Sequence, residues 1–219
     1  MGDRFTEIYE NAEWGGNQPS GPGSDPHQLD RYRELVQQLI DSPEVGRVVD
    51  LGCGDWTLAQ AMDWSTVEYL GLDVVPAMIQ KHQAEHGCGN IQFELAGPPG
   101  TPPPEADLLI VKDVLQHWSN AQVRALLDAL PTVRLALITN DRDFTRRSWR
   151  TLWRRQRLCD ANCDTATGGY RPLDLRSPPF SLEAEKVLEF KTVDGADVFT
   201  KETLLWTRDD GSGPKRRTH

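Results

Sequence analysis

The sequence predicts an α/β protein with a doubly wound, mostly parallel sheet. Short apolar runs of strand length recur at Val48–Leu51, Val67–Asp73 and Ala106–Val111, and apolar residues at helical spacing lie between and around them. The first run empties into the glycine pair Gly52 and Gly54, and the second closes on an acidic residue, Asp73. Strands that alternate with helices call for a parallel sheet covered on both faces. Right-handed crossovers then bring every carboxyl strand end to one edge, where a ligand crevice lies.

The elements follow in order. A helix starts near Ser24 or Asp25 with Pro26, and Leu29, Tyr32, Leu35, Val36, Leu39 and Ile40 recur along it at helical spacing. Arg47 to Thr57, RVVDLGCGDWT, is a buried strand running into a tight turn, followed by a crossover helix over Leu58–Met62. Gly52 and Gly54 let the backbone bend and approach a ligand where a Cβ would collide. Val67–Asp73 is the second strand, Pro76 opens a helix to about His86, and Asn90–Leu95 is the third strand. After the proline-rich loop 97–104, Ala106–Val111 forms the fourth strand. Ser119 caps a helix through Leu130, and Val133–Thr139 is the fifth strand. Roughly forty residues without a clear strand follow, a length that is usually functional. Two strand-like runs between Leu188 and Arg208 come last, before a frayed end over 209–219.

The glycine pair alone is a weak motif. A dinucleotide fingerprint wants Gly or Ala where Thr57 stands, and no phosphate-cradling lysine follows. Asp73 strengthens the signal. It lies 23 residues past Asp50, at the tip of the neighbouring strand, where a carboxylate accepts both hydroxyls of a ribose. These landmarks, with Lys112–Trp118 after the fourth strand, resemble the class I S-adenosylmethionine-dependent methyltransferases over Gly46–Asp141. Two positions depart from that pattern: Trp56 replaces the usual third glycine, and Gly97 falls near the place of an acidic residue that meets the adenine.

The resemblance implies a Rossmann-like doubly wound sheet with an antiparallel C-terminal edge hairpin. It implies S-adenosylmethionine as donor, held by Asp50, Gly52, Cys53, Gly54, Trp56, Asp73, Val74, Lys112 and Asp113. Ile8-Tyr9, Trp14-Gly15 and residues 20–24, with Gly168–Leu175 and Pro178–Phe180, look like a small subgroup of bacterial methyltransferases in which both segments close over the active site. Residues 1–25 are then an amino-terminal lid and 46–141 the donor-binding core. A substrate cap spans 142–182, C-terminal strands 183–208 and a flexible tail 209–219. Tyr9, Trp14, Asp141, Tyr170 and Arg171 would meet the acceptor.

A sulfonium methyl is already activated, so the protein mainly aligns nucleophile, carbon and sulfur. A hydroxyl acceptor, on a sugar or another secondary metabolite, is a poor nucleophile while protonated and needs a base. His117 lies just past the fourth strand and titrates near working pH; its alternatives are capping the next helix or packing on Trp118. Asp113 would orient that imidazole, line the donor's methionine end, or serve structure. Asp113, Asp141 and Asp143, with Asp164, are candidate ligands for Mg²⁺, which would lower the acceptor pKa. Trp56 is a wall of the donor pocket or an anchor for the crossover helix.

A net charge of −9 weighs against non-specific nucleic-acid binding. Seven arginines nonetheless fall between Arg142 and Arg157, as a solvated helix face or a cap over an oxygen-rich ligand. No run approaches the ~20 apolar residues that span a bilayer, and the start MGDRFTEIYE is no signal peptide. The expectation is a cytoplasmic enzyme with a small-molecule acceptor and no membrane or nucleic-acid partner. Cys159 and Cys163 could bind metal or form a redox pair, and free thiols are the favoured reading. Two other classes compete: an RNA-directed methyltransferase using the arginines, and a non-catalytic S-adenosylmethionine-binding protein whose site Trp56 has spoiled.

Overall fold

The computed structural model describes residue 7 and residues 29–146, 161–194 and 197–209. Its strands are β1 (Arg47–Leu51), β2 (Glu68–Asp73), β3 (Ile91–Leu95), β4 (Ala106–Lys112), β5 (Val133–Arg146), β6 (Glu185–Asp194) and β7 (Asp197–Thr207). Among the described residues the helices are α1 (Asp30–Ile40), α2 (Pro76–His86) and α3 (Asn120–Ala129). All seven strands share one sheet in the order β3-β2-β1-β4-β5-β7-β6. The first five run parallel, and β7 pairs antiparallel with both β5 and β6. The chain winds outward from β1 to β3 on one side, then returns to β4 and winds the other way. The order therefore reverses between β1 and β4, where open α/β sheets hold their ligands.

Alternation along the strands builds a core on each face. Val48 and Val49, neighbours on β1, point to opposite sides. Val49 joins Leu109, Val111, Ile138 and the α3 residues Val123 and Leu126. Val48 joins Leu108, Ile110, Leu137 and the α1 residues Tyr32, Val36 and Ile40. The start of α3 is fixed as its sequence indicates: Ser119 Oγ accepts from Gln122 N at 3.4 Å, and Gln122 Oε1 accepts from Ser119 N at 2.9 Å. No helix among the described residues is long and apolar enough to cross a membrane.

Three expectations are corrected. The helix expected over Leu58–Met62 is a single 3₁₀ turn, Ala59–Ala61. Glu68 already belongs to β2, so the connection has room for little more, and the Trp64 indole N–H takes the Ala59 carbonyl at 2.8 Å. The fifth strand does not stop at Thr139. It runs through a bulge between Asp141 and Asp143 to Arg146, because β7 continues the ladder as far as Asp197. Third, Cys163 is disulfide-bonded rather than a free thiol, whereas Cys53 and Cys88 are free.

Leu109 is wholly buried at the centre of β4, and Leu95 at the end of β3 is 56% exposed. Leu109→Ala is expected to lower unfolding free energy by about 2–5 kcal/mol, and Leu95→Ala by under about 0.5 kcal/mol, as read by denaturant titration.

Candidate functional site

At the switch between β1 and β4, the chain leaves β1 through Gly52 at φ +82°. A Cβ there would collide with Val114, in the segment that follows β4. Gly52 N and Cys53 N both donate to Leu72 O, at 2.7 and 3.1 Å, so the turn is fastened to the end of β2. Gly54, at φ +57°, donates its N–H to Asp73 Oδ2 at 3.1 Å, while Val75 N–H serves Asp73 Oδ1 at 3.1 Å. Val74, half-buried, lies between them in sequence. His82 on α2 donates from Nε2 to Gly54 O at 2.9 Å and braces the turn from outside.

Asp50 and Asp73 are both buried at this edge. Burial pushes Asp50 up to about 6 against the opposing hydrogen bond from Tyr69 Oη, which is 2.8 Å from Oδ2. Burial likewise pushes Asp73 up to about 6 against the backbone N–H groups of Gly54, Val75 and Val74. The Cys53 thiol is held well above its usual range, again by burial first. Trp56 has φ +59°, so it keeps the backbone of the glycine it replaces. Its indole is buried, donates to Tyr69 Oη at 3.0 Å and meets Phe93 edge-on at 5.1 Å.

Across the switch point, Lys112 Nζ reaches Asp113 Oδ2 at 2.6 Å. Asp113 also takes positive φ, +59°, and its other oxygen accepts from Lys201 Nζ at 2.6 Å. Lys201, inward-facing on β7, donates to Asp141 Oδ1 as well, at 2.7 Å. Burial alone would raise the Asp113 carboxyl, but Lys112 and Lys201 hold it at about 2. Burial opposes the charge on Lys201, and Asp113 and Asp141 overcome it, raising the ammonium to about 12.

This arrangement does not fit the expected Mg²⁺. An ammonium already stands between Asp113 and Asp141, where a divalent ion would have to sit. Asp143 lies past the bulge and is exposed, and Asp164 accepts from the backbone N–H groups of Asn120 and Thr165. Among the described residues no group of three His, Cys, Asp or Glu side chains could hold a metal ion.

His117 closes the 3₁₀ turn Leu115–His117, and its Nδ1 lies 2.8 Å from Gly169 O. A carbonyl only accepts, so Nδ1 carries the proton and Nε2 is the basic nitrogen. Gly169, not Asp113, therefore orients the ring. The helix-capping alternative falls away too, because Ser119 fills that position. Burial lowers the His117 pKa, which keeps the imidazole neutral. Tyr170 lies beside it, ring centroids 5.9 Å apart, and donates from Oη to Asp141 Oδ2 at 3.0 Å. Asp141 N donates to Gln116 Oε1 at 2.8 Å and Asp141 O accepts from Leu173 N at 2.7 Å, so the 168–173 segment is laced to the end of β5. Arg171, expected at the acceptor, is only 1% exposed. Its guanidinium is turned inward to Leu115 O at 2.9 Å and Asn120 Oδ1 at 3.0 Å, and burial lowers its pKa to about 10.

The structure thus gathers Asp50, Gly52, Cys53, Gly54, Asp73 and Val74 around one turn, and Lys112, Asp113, Asp141, His117 and Tyr170 around the other. Tyr9, Trp14 and the arginines at 147–157 lie outside the described residues. Lys201, Tyr69, Gln116 and His82 were not anticipated. Lys201 had one visible signal, a charge on a strand where Phe199, Thr203 and Leu205 share its alternation.

No family model matches the chain, and no curated protein matches it. Solved structures do. Magnesium protoporphyrin IX methyltransferase from Synechocystis, with bound S-adenosylhomocysteine, superposes with TM-score 0.57 at 18% identity, covering 94% of this chain and 93% of that one. A didemethyltoxoflavin N1-methyltransferase from Burkholderia thailandensis gives 0.61 at 12%, covering 94% and 87%. N-methyltransferase NodS from Bradyrhizobium japonicum, with S-adenosylhomocysteine, gives 0.57 at 14%, covering 92% and 99%. The chain has the class I S-adenosylmethionine-dependent methyltransferase fold, a mostly parallel Rossmann-like sheet with an antiparallel C-terminal hairpin.

The raised Asp50 pKa has a signed consequence for stability. Between its ordinary value and about 6 the folded protein binds more protons than the unfolded chain, so stability falls as pH rises through that window. Asp50→Asn keeps an oxygen for Tyr69 and removes the charge. Its melting temperature relative to the parent is expected to rise from about pH 4 to about pH 7; a pH-independent difference would contradict the assignment.

Proposed function

We propose that this protein is an S-adenosylmethionine-dependent methyltransferase that methylates a hydroxyl of a small-molecule acceptor. The observation that carries the proposal is Asp73, buried at the tip of β2 and joined by the Gly54 N–H to the glycine turn of β1, beside the topological switch. Asp73 Oδ2 accepts the Gly54 N–H and Oδ1 the Val75 N–H, with the Val74 N–H also acting on the carboxylate. A carboxylate with about four acceptor sites retains capacity for a ribose hydroxyl. The donor supplies an electrophilic methyl on a sulfonium. Gly52 and Gly54 present bare backbone to it, and the carboxylates of Asp50 and Asp73 favour a cation at this edge. Fold relatives solved with S-adenosylhomocysteine support this donor class.

On the acceptor side, His117 takes the hydroxyl proton at Nε2 while Gly169 holds Nδ1–H. The neutral ring suits that role, and Tyr170 and Asp141 form the adjoining wall. Tyr9 and Trp14 contribute, on this proposal, to binding the acceptor.

Asp73→Ala is expected to weaken S-adenosylhomocysteine binding by about 1–3 kcal/mol, roughly 5- to 150-fold in Kd. Isothermal titration reads this directly, and wild-type affinity in the variant would remove Asp73 from the ribose. For the base, release of S-adenosylhomocysteine would be followed over a panel of phenolic and sugar hydroxyl acceptors. His117→Ala should lower turnover by ~10²–10⁴-fold with donor affinity nearly unchanged. Because burial lowers the histidine pKa, the rising limb of the wild-type rate should lie below the ordinary value of about 6.5. Normal turnover in the variant would return His117 to a packing role.

A further inference from the structure

We propose that Lys201 is the positioning residue of this site: its ammonium is a built-in cation that locks the donor-side turn after β4 to the acceptor-side segment 168–173. The inference rests on the methyltransferase proposal and extends it to a residue that faces neither ligand in that account. Lys201 Nζ lies 2.6 Å from Asp113 Oδ1 and 2.7 Å from Asp141 Oδ1, with the lysine 3% exposed. Each carboxylate has a second task. Asp113 holds Lys112 through its other oxygen and sits in the turn at φ +59°. Asp141 accepts Tyr170 Oη, and its backbone holds Gln116 and Leu173. One ammonium therefore joins the carboxyl end of β4, the bulge of β5 and the segment carrying Tyr170 and Gly169, the latter being the partner of His117.

The position on β7 makes this arrangement specific. Asp141 is the last β5 residue paired before the bulge, directly opposite Lys201, and the bulge then shifts the register so that Asp143 faces Thr200. A bulge re-aims side chains at the point where it occurs. Remove the ammonium and Asp141 loses its cation while Asp113 keeps only Lys112, so two buried carboxylates lose the charge they share, a state that favours separation of the two turns.

The test uses the full chain with S-adenosylhomocysteine and ethylammonium as probes. Lys201→Ala empties a volume the size of an alkylammonium ion. Its affinity for S-adenosylhomocysteine should fall by about tenfold or more, and millimolar ethylammonium should restore it saturably. Ethanol, of similar size and uncharged, should not. Wild type and Lys201→Met, whose stem still fills the space, should ignore ethylammonium. Wild-type affinity in Lys201→Ala would overturn the proposal, as would a loss that ethylammonium fails to restore or that ethanol restores equally. If Lys201→Ala does not fold alone, the same titration on protein refolded with ethylammonium present, then dialysed, decides the matter: retained affinity after dialysis overturns it. Failure of the wild type to bind S-adenosylhomocysteine is a separate result. It rejects the methyltransferase proposal, and recovery of the Lys201→Ala melting temperature by ethylammonium then decides whether the cation lock stands; no recovery overturns it.

Discussion

The close passage of Gly52 beneath Val114 is the constraint on which the crevice depends. The chain leaves β1 with no side chain to spare, so the segment after β4 can lie directly against it. The same turn is sewn to β2, first by Gly52 N and Cys53 N on Leu72 O and then by Gly54 N on Asp73. One bend thus fixes three strand ends at once. Parallel strands place those ends on the same edge, so fixing them also fixes every side chain that projects from the following loops. A larger residue at 52 would separate β1 from the post-β4 segment, and the two halves of the site with it.

Two kinds of buried carboxylate share this edge, and their surroundings assign them different work. Asp113 and Asp141 are matched by Lys201, with Lys112 adding to Asp113, in a patch whose two cations and two anions balance. Their charge is internal to the fold and holds segments in place. Asp50 and Asp73 have only neutral donors, a tyrosine hydroxyl and backbone N–H groups. Burial outweighs these donors, and for Asp50 the Lys112 charge as well, and leaves both near pKa 6, so each gains from an incoming positive charge. The contrast separates a structural pair from a pair suited to a cationic ligand, within one strand order.

How much of this was legible in the sequence depends on the range of the interaction. The strands and the capping box of α3 are local: Val48–Leu51 and Ser119 with Gln122 carry their own signals. The glycine turn and Asp73 were legible because their spacing along the chain reports adjacent parallel strands. The end of β5 was not, since nothing between Asp141 and Arg146 announces a strand until β7 pairs with it. Lys201 escaped for the same reason. Its partners lie 88 and 60 positions away, and the register that brings them together is set by a bulge with no sequence mark of its own. Arg171 misled in the opposite direction: an arginine in a presumed cap suggests a ligand, and only tertiary packing shows it clamping Leu115 and Asn120.

Trp56 shows how a departure from a pattern can preserve its geometry. A non-glycine residue at φ +59° costs roughly 1–2 kcal/mol. Burying a large aromatic side chain contributes about 1.5–3 kcal/mol, and the indole finds Tyr69 Oη, Phe93 and His86 as neighbours. The gain matches or exceeds the strain, so the turn keeps a third left-handed residue after Gly52 and Gly54. Tyr69 then passes the interaction on, since its hydroxyl receives from Trp56 and donates to Asp50. A tryptophan that obstructed the crevice would leave its ring in the open. This one is buried in the α1-side core and, through Tyr69, steadies Asp50 at the switch-point edge.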